Sequence, residues 1–276
     1  MRTLLLTCLA MFAFAANSLL CRVALRTTSI DPATFTAVRL VAGALMLGLI
    51  GFGRSGAAPV RGNWGSALAL FAYAAGFSYA YRNLTAATGA LLLFGAVQAT
   101  MIGVGALRGE RLGGRSLLGL LIAVAGLVAL LAPGLSAPPP AAAALMLGAG
   151  AAWGIYTRRG RGAGDATQVT AGNFLRAAPM ALALAAVELA RLRPDPEGMG
   201  YGLASGALAS GVGYAVWYRV VPALAPVSAS VVQLSVPVIA SLGGYLLLGE
   251  PITLRLVLAS VTILGGIGLV IGTRAR

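Results

Sequence analysis

The fold is decided by two stretches of sequence, GVGALRGERLGGRSLLGLLIAVAG (Gly103 to Gly126) and GGYLLLGEPITLRLVLASVTILGG (Gly243 to Gly266), which lie 140 residues apart. Each consists of an apolar helix, a Gly-Glu pair, and a short turn into another apolar helix. Identical residues, including the glutamate and an arginine, stand at seven positions of this constant offset. Matching charged residues at one offset favour an internal duplication over chance similarity between two apolar segments.

The whole chain is too apolar for a soluble protein. Of its 276 residues, 59% are hydrophobic and 10% are charged, whereas a soluble domain carries about a quarter charged residues. The net charge of +13 would suggest nucleic acid binding in a soluble chain, but the arginines lie between long apolar runs and never form a block. The composition therefore predicts a lipid bilayer as the main solvent and no nucleic acid partner.

Ten apolar segments are long enough to cross a bilayer as helices. They cover approximately residues 3–23, 32–52, 64–81, 84–107, 115–132, 140–157, 168–190, 200–221, 224–248 and 254–273. The first segment also has features of a signal peptide, with small residues at Ala13 and Ala15, but its apolar run continues to Val23. We expect this segment to remain as the first helix.

The loop arginines predict the orientation of these spans. With the N-terminus in the cytoplasm, the cytoplasmic loops receive about two arginines for every one on the other side. Both termini are therefore expected to be cytoplasmic.

The repeat unit contains five spans, which is an odd number, so the second copy would enter the membrane from the opposite side. We expect an all-α membrane protein with two inverted five-helix repeats, residues 1–135 and 136–276, around a central cavity. Such inverted repeats are typical of secondary transporters, whose substrate site lies near the bilayer midplane and opens alternately to either side.

The same stretches resemble the EamA family of the drug/metabolite transporter superfamily. The resemblance rests on Phe94 to Leu112 (FGAVQATMIGVGALRGERL), Pro222 to Ile252 (PALAPVSASVVQLSVPVIASLGGYLLLGEPI), and Asn17 followed by Arg39 in FTAVRL. It implies a ten-helix metabolite exporter of the bacterial inner membrane, and more narrowly the chain is similar to the YddG-type aromatic amino acid exporters. The first copy has Gly95 to Gln98 where the second has Ser235 to Val238, so we expect a proline kink in only one half.

Polar and aromatic side chains within the spans are the candidate substrate-binding residues. Four amides, Asn17, Gln98, Asn173 and Gln233, could bind the ammonium and carboxylate of an amino acid, or could only join helices. Aromatic residues away from the span ends could line a cavity or pack in the core; these are Tyr73, Phe77, Trp153 and Tyr214. Aromatic residues nearer the span ends more often form an interfacial belt.

Two arginines, Arg39 and Arg176, fall inside predicted spans. Either could pair with a substrate carboxylate, or could bind neighbouring backbone carbonyls. The acidic residues lie at span ends or in loops, where Glu110 and Glu250 are expected to have structural roles. The lack of a carboxylate in mid-span and of any histidine argues against proton coupling and favours facilitated diffusion or exchange.

Glycine and proline mark possible hinges in the fourth and ninth spans. Gly103, Pro237 and Gly243 could allow these helices to bend, although most of the 38 glycines are expected to serve helix packing.

An intramembrane enzyme would need a catalytic or metal-binding constellation that the sequence lacks, so we expect no enzyme activity, metal or cofactor. The alternative function is export of another small metabolite or drug, nucleobase-like or amphipathic, with proton coupling as an option. The sequence does not set the oligomeric state, and a monomer is compatible with the plan.

Overall fold

The computed structural model describes residues 1–55, 61–107, 113–134, 137–160, 164–224 and 226–273. These ranges are helical with short connections and contain no strand. The first Gly-Glu pair, Gly109 and Glu110, lies outside the described residues.

Twelve α-helices follow one another along the described chain. They are α1 (Arg2–Thr27), α2 (Pro32–Ser55), α3 (Trp64–Tyr81), α4 (Ala86–Leu107), α5 (Gly114–Leu131), α6 (Pro140–Arg159), α7 (Ala166–Val187), α8 (Pro196–Leu203), α9 (Gly213–Val220), α10 (Pro226–Gln233), α11 (Ser235–Leu248) and α12 (Leu254–Thr273). A π-helical segment (Ala204–Val212) joins α8 to α9 without a break, and 3-10 turns follow α7 and α9.

Short polar side chains define where several helices begin. Asn63 accepts a hydrogen bond from the N–H of Ser66 at the start of α3. Asp165 accepts two at the start of α7, and Asp195 accepts one from Gly198 before Pro196 opens α8. At its C-terminal end, α11 is terminated by Gly249, whose φ of +61° is a conformation that glycine adopts without steric cost.

Seven helical stretches in the described chain are long and apolar enough to span a bilayer. They are Arg2–Thr27, Pro32–Gly53, Ala86–Gly105, Gly114–Leu131, Ala166–Val187, Val231–Leu248 and Leu254–Gly272. These stretches confirm an all-helical, multi-pass membrane protein, but they do not confirm all ten predicted spans. The eighth predicted span is divided by the π segment into pieces too short to count individually, although its helical rod is continuous.

The helices of the two halves of the chain make equivalent packing contacts. The helix α5 packs along α12, α2 along α7, and α4 against α11, and each of these pairs joins counterparts in the two halves. The α3–α6 contact is likewise mirrored by contacts of α1 with α9 and the π segment, and the α4–α6 contact by α1 with α11. This exchange symmetry is the packing expected of two structural repeats.

Glycines bring these helices close together. A Cβ placed on Gly119 of α5 would lie 2.6 Å from the carbonyl oxygen of Gly266 on α12, and one placed on Gly150 of α6 would lie equally close to the carbonyl oxygen of Leu93 on α4. Because lipid supplies no hydrophobic drive for helix association, this close van der Waals packing is what holds such helices together.

Candidate substrate cavity

Two adjoining cavities lie inside the bundle. The larger, which we call the vestibule, has a volume of about 550 Å³ and reaches Gly160, Gly164 and Leu224 at the α6–α7 and α9–α10 connections. The smaller, which we call the recess, has a volume of about 30 Å³ and lies deeper, among Asn17, Ser18, Tyr73, Phe77, Leu93 and Phe94. Four side chains line both cavities and so form their common wall: Phe14, Trp153, Tyr214 and Gln233.

Stacked aromatic rings form the common wall. Trp153 of α6 stacks on Tyr214 of α9 with ring centroids 5.3 Å apart and planes 19° from parallel, and on Tyr156 at 5.1 Å and 25°. Phe14 of α1 meets Tyr214 at 5.7 Å. The wall therefore presents flat, apolar faces suited to an aromatic or large apolar group, and also to a cation held by a ring face.

The recess has a polar side formed by helices α1, α2 and α3. The hydroxyl oxygen of Tyr73 accepts hydrogen bonds from Nδ2 of Asn17 at 3.1 Å and from Nη2 of Arg39 at 2.9 Å. Oδ1 of Asn17 in turn accepts from the hydroxyl of Ser205, in the π segment, at 2.6 Å. This network fixes the tyrosine hydroxyl at the edge of the recess.

Arg39 is almost completely buried behind Tyr73 and Phe77, with 1% of its surface exposed. Its guanidinium carbon lies 5.1 Å from the Tyr73 ring centroid and 4.8 Å from that of Phe77. Nε and Nη1 have no hydrogen-bond partner among the described residues. Arg39 therefore carries a positive charge into the core that ring faces and one hydroxyl compensate only in part.

A second polar network borders the vestibule. The Tyr156 hydroxyl donates to Oγ1 of Thr170 at 3.3 Å, and Thr170 donates to the Tyr218 hydroxyl at 3.2 Å. Asn173 contacts the Tyr156 hydroxyl at 3.5 Å through Nδ2, and its Oδ1 accepts from the backbone N–H of Asn63. These groups give the vestibule hydrogen-bonding capacity beside its aromatic rings.

The structure brings most of the predicted site residues together. Seven line a cavity: Asn17, Tyr73, Phe77, Trp153, Asn173, Tyr214 and Gln233. Arg39 lines neither cavity but packs against Tyr73 and Phe77. Gln98 is buried on α4 and also lines neither cavity. Nε2 of Gln233 donates to the carbonyl of Ala229 in its own helix.

Arg176 is not part of the cavity lining. Its Nη1 donates to the backbone carbonyls of Arg61 at 3.0 Å and Gly172 at 2.9 Å, which is the carbonyl-binding alternative considered for it.

The sequence does not predict several other lining residues. Phe14, Phe94 and Thr170 carry no signal of their own, and the span-end positions of Tyr156, Trp217 and Tyr218 favour an interfacial belt instead. Tyr156 and Tyr218 lie near helix ends, where tyrosine is usual at the membrane interface, so their position alone was uninformative. A usable signal existed on α7, where Thr167, Thr170 and Asn173 recur every third residue and form one polar stripe.

The predicted hinge residues have different surroundings. The ninth predicted span is interrupted at Leu234, between α10 and α11, because Pro237 has no N–H to donate to the carbonyl of Gln233. Its counterpart α4 is one helix, and Gly103 within it has no neighbour that a Cβ would touch. Gly243 packs closely against Leu19 of α1.

A cluster of charged and backbone groups, which we call the latch, lies at the end of the bundle opposite the α6–α7 and α9–α10 connections. Glu250 is buried and accepts hydrogen bonds from Nε of Arg22 at 2.8 Å and from the backbone N–H of Ala86 at 2.7 Å. Arg22 also donates to the carbonyls of Tyr81 and Arg82 at the end of α3, and Arg26 to that of Leu248 at the end of α11. The latch therefore joins α1, α3, α4 and α11.

Two loops reinforce this end. Asp31, after α1, accepts a hydrogen bond from the backbone N–H of Arg193, after α7, and Asp195 accepts one from the hydroxyl of Ser29. Partial burial disfavours the ionised Asp31 carboxyl, but the hydrogen bonds from Arg193 and Thr34 outweigh burial and lower its pKa below the ordinary value.

Within the described residues, no three histidine, cysteine, aspartate or glutamate side chains come together as possible metal ligands. The lining of the two cavities consists of aromatic, aliphatic, hydroxyl and amide groups. Such a lining can hold and release a small molecule through stacking and hydrogen bonds.

Comparison with known proteins agrees with this architecture. A model of the EamA-like transporter family matches the chain twice, over residues 1–132 and 140–272. An uncharacterized protein of Pseudomonas aeruginosa is 59% identical over 274 residues, which cover 99% of this chain and 96% of that protein. A solved crystal structure with 20% sequence identity has the same fold, with a TM-score of 0.68 over 98% of this chain and 96% of the other. The chain belongs to the EamA-like transporter family.

Proposed function

We propose that this membrane transporter exports neutral amino acids, aromatic ones included, across the bacterial inner membrane. The observation that carries the proposal is the vestibule, whose wall stacks Trp153 between Tyr156 and Tyr214 directly beside a polar recess. An aromatic amino acid has the same two parts, a flat apolar ring and a compact polar head. The YddG-type specificity implied by the sequence resemblance points to the same substrates.

The proposed mechanism is alternating access between two inverted halves, residues 1–135 and 136–276, with ten spans in all. The vestibule reaches the end of the bundle that holds the α6–α7 and α9–α10 connections. The distribution of loop arginines favours a cytoplasmic location for this end and for both termini. An exporter would load its substrate in this conformation, with the latch closing the outer side.

The proposed energetics are facilitated diffusion or exchange. No carboxylate from the described residues lines either cavity, and a proton-coupled carrier usually needs such a group within the membrane. The substrate gradient would then drive net movement, in either direction.

The test is uptake by liposomes that contain the purified protein. Labelled phenylalanine should enter these liposomes and not protein-free ones, and excess tryptophan, threonine or methionine should reduce its uptake, whereas purines should not. Trp153→Leu should reduce this uptake because it removes the stacked wall. Trp64→Leu is the matched control, since Trp64 is 61% exposed at the start of α3.

Transport of purines or amphipathic drugs without any amino acid uptake would contradict the proposal and favour the alternative substrate class. Equal loss of phenylalanine uptake in Trp153→Leu and Trp64→Leu would show that the stacked wall has no specific role.

A further inference from the structure

Among the described residues, the buried charge of Arg39 has no anionic partner. The ion pairs there join Arg22 and Arg26 to Glu250 at the latch, and none involves Arg39. Two of the three guanidinium nitrogens, Nε and Nη1, make no hydrogen bond to the part of the chain that the structure describes. Burial of an arginine in a membrane core costs free energy unless the charge is paired. The unmatched charge of Arg39 therefore indicates a site where an anion binds reversibly.

Tyr73 links Arg39 to the recess through a hydrogen bond. Its oxygen already accepts hydrogen bonds from Arg39 and Asn17, so its own proton is left to donate elsewhere. A hydroxyl that accepts a hydrogen bond from a cation is polarised and becomes a stronger donor. Tyr73 lines the recess, whereas Arg39 lies behind it.

The recess has the size of a small anionic group. Its volume of about 30 Å³ corresponds to roughly two water-sized positions, since each requires about 10–15 Å³ by this measure. Two such positions suit the two oxygens of a carboxylate. Because the recess and the vestibule share the lining residues Phe14, Trp153, Tyr214 and Gln233, they adjoin each other, and the vestibule would hold the rest of the molecule.

We infer that the recess binds the substrate carboxylate through the Tyr73 hydroxyl, with Arg39 as a positioning residue that supplies the counter-charge. This inference rests on the proposed function and deepens it. It makes the carboxylate the discriminating group, because the described lining offers an ammonium only ring faces and neutral oxygen atoms. The substrate class is then aromatic and large apolar carboxylates, whether or not they carry an amino group.

The experiment measures direct binding of four compounds to the purified protein by isothermal titration calorimetry: phenylalanine, 3-phenylpropionate, phenylalaninamide and phenethylamine. The first two have the carboxylate and should bind, whereas the last two should bind at least tenfold more weakly. Equal binding of all four, binding of the amine and amide alone, or binding of none would overturn the inference. Since binding does not require transport, absent amino acid flux together with carboxylate-selective binding would contradict only the proposed function.

Substitutions test whether Tyr73 is the residue that binds the carboxylate. Tyr73→Phe should weaken 3-phenylpropionate binding about tenfold, which corresponds to loss of one hydrogen bond to a charged group. Tyr79→Phe is the matched control on the same helix, because Tyr79 lines neither cavity. Unchanged binding in Tyr73→Phe, or equal weakening in Tyr79→Phe, would remove Tyr73 from the site.

A further pair of variants tests the charge of Arg39. Arg39→Gln should abolish the preference for 3-phenylpropionate over phenethylamine, and Arg39→Lys should restore part of it. A purely structural role would weaken binding of both compounds alike and leave their ratio unchanged. If Tyr73→Phe does not fold, this ratio still decides the inference.

Discussion

Replacement of Glu250 by Gln should open the latch. In the structure the Glu250 carboxylate bridges Arg22 of α1 and the N–H of Ala86 that begins α4, at 2.8 and 2.7 Å. Glu250 is 4% exposed and Arg22 11% exposed. Glutamine keeps the size but loses the charge, and its NH₂ group cannot accept a bond from either donor.

Loss of these contacts should destabilise the conformation seen in the structure, and the free energy can be estimated from their burial. Breaking a buried ion pair typically costs 3–5 kcal/mol, and the partial exposure of Arg22 favours the lower end. A loss of about 3 kcal/mol changes a conformational equilibrium roughly 100-fold. Because the latch joins α1, α3, α4 and α11 at one end of the bundle, its loss should favour conformations open at that end.

Cys21 provides a native reporter of this opening. It is fully buried one position before Arg22, and it lies three residues beyond the recess residue Ser18, on the same face of α1. Cys8, the other cysteine, is exposed and can be replaced by serine. Labelling of Cys21 by a water-soluble maleimide should then accelerate by up to about 100-fold in Glu250→Gln.

The control is Glu197→Gln at the same end, where the carboxylate is exposed and accepts a hydrogen bond from the hydroxyl of Tyr201 four residues away. Labelling should stay at the wild-type rate in this variant. A Cys21 labelling rate in Glu250→Gln equal to that of the wild type, or an equal acceleration in Glu197→Gln, would refute the latch as a conformational lock.

Three further predictions concern stability, measured by thermal unfolding in detergent. Gly119→Leu should cost about 1–3 kcal/mol because it forces α5 away from Gly266, whereas Gly148→Leu, with no neighbour within 4 Å, should be neutral; similar unfolding temperatures would contradict this packing role. Asp31→Asn should be less stable than the wild type at pH 7. Since the folded pKa of Asp31 is lowered, this difference should persist above about pH 4 and shrink as the pH falls further, and a difference constant to pH 3 would argue against it. Arg39→Met should raise the unfolding temperature of the ligand-free protein by removing an unmatched buried charge, and a lower temperature would mean that the charge is already compensated.

The helical architecture could be predicted because long apolar runs with few charges have one structural solution in a bilayer. The π segment could not, since Ala204–Val212 is made mostly of small residues whose pattern carries no sign of an extra residue per turn. The interruption near Pro237 was anticipated from chemistry, because proline cannot complete the helical hydrogen bond.

The site was predictable where a polar atom stood out from an apolar run, as with Asn17 and Asn173. Helical periodicity alone cannot tell a cavity from a lipid-facing or core position, which explains why Phe14 was missed and Gln98 does not line the cavities. Whether Arg39 has an anionic partner depends on the side chains that neighbouring helices place next to it. The sequence alone therefore could not predict that it has none among the described residues.

In the proposed mechanism, a carboxylate-bearing amino acid occupies the vestibule and recess and crosses by alternating access without ion coupling. The most direct measurement is counterflow in liposomes that contain the wild-type protein. Liposomes preloaded with unlabelled phenylalanine should accumulate labelled phenylalanine transiently, and an imposed pH gradient without preloading should cause no accumulation above equilibrium. Absence of counterflow, or sustained uphill accumulation driven by the pH gradient, would contradict the account.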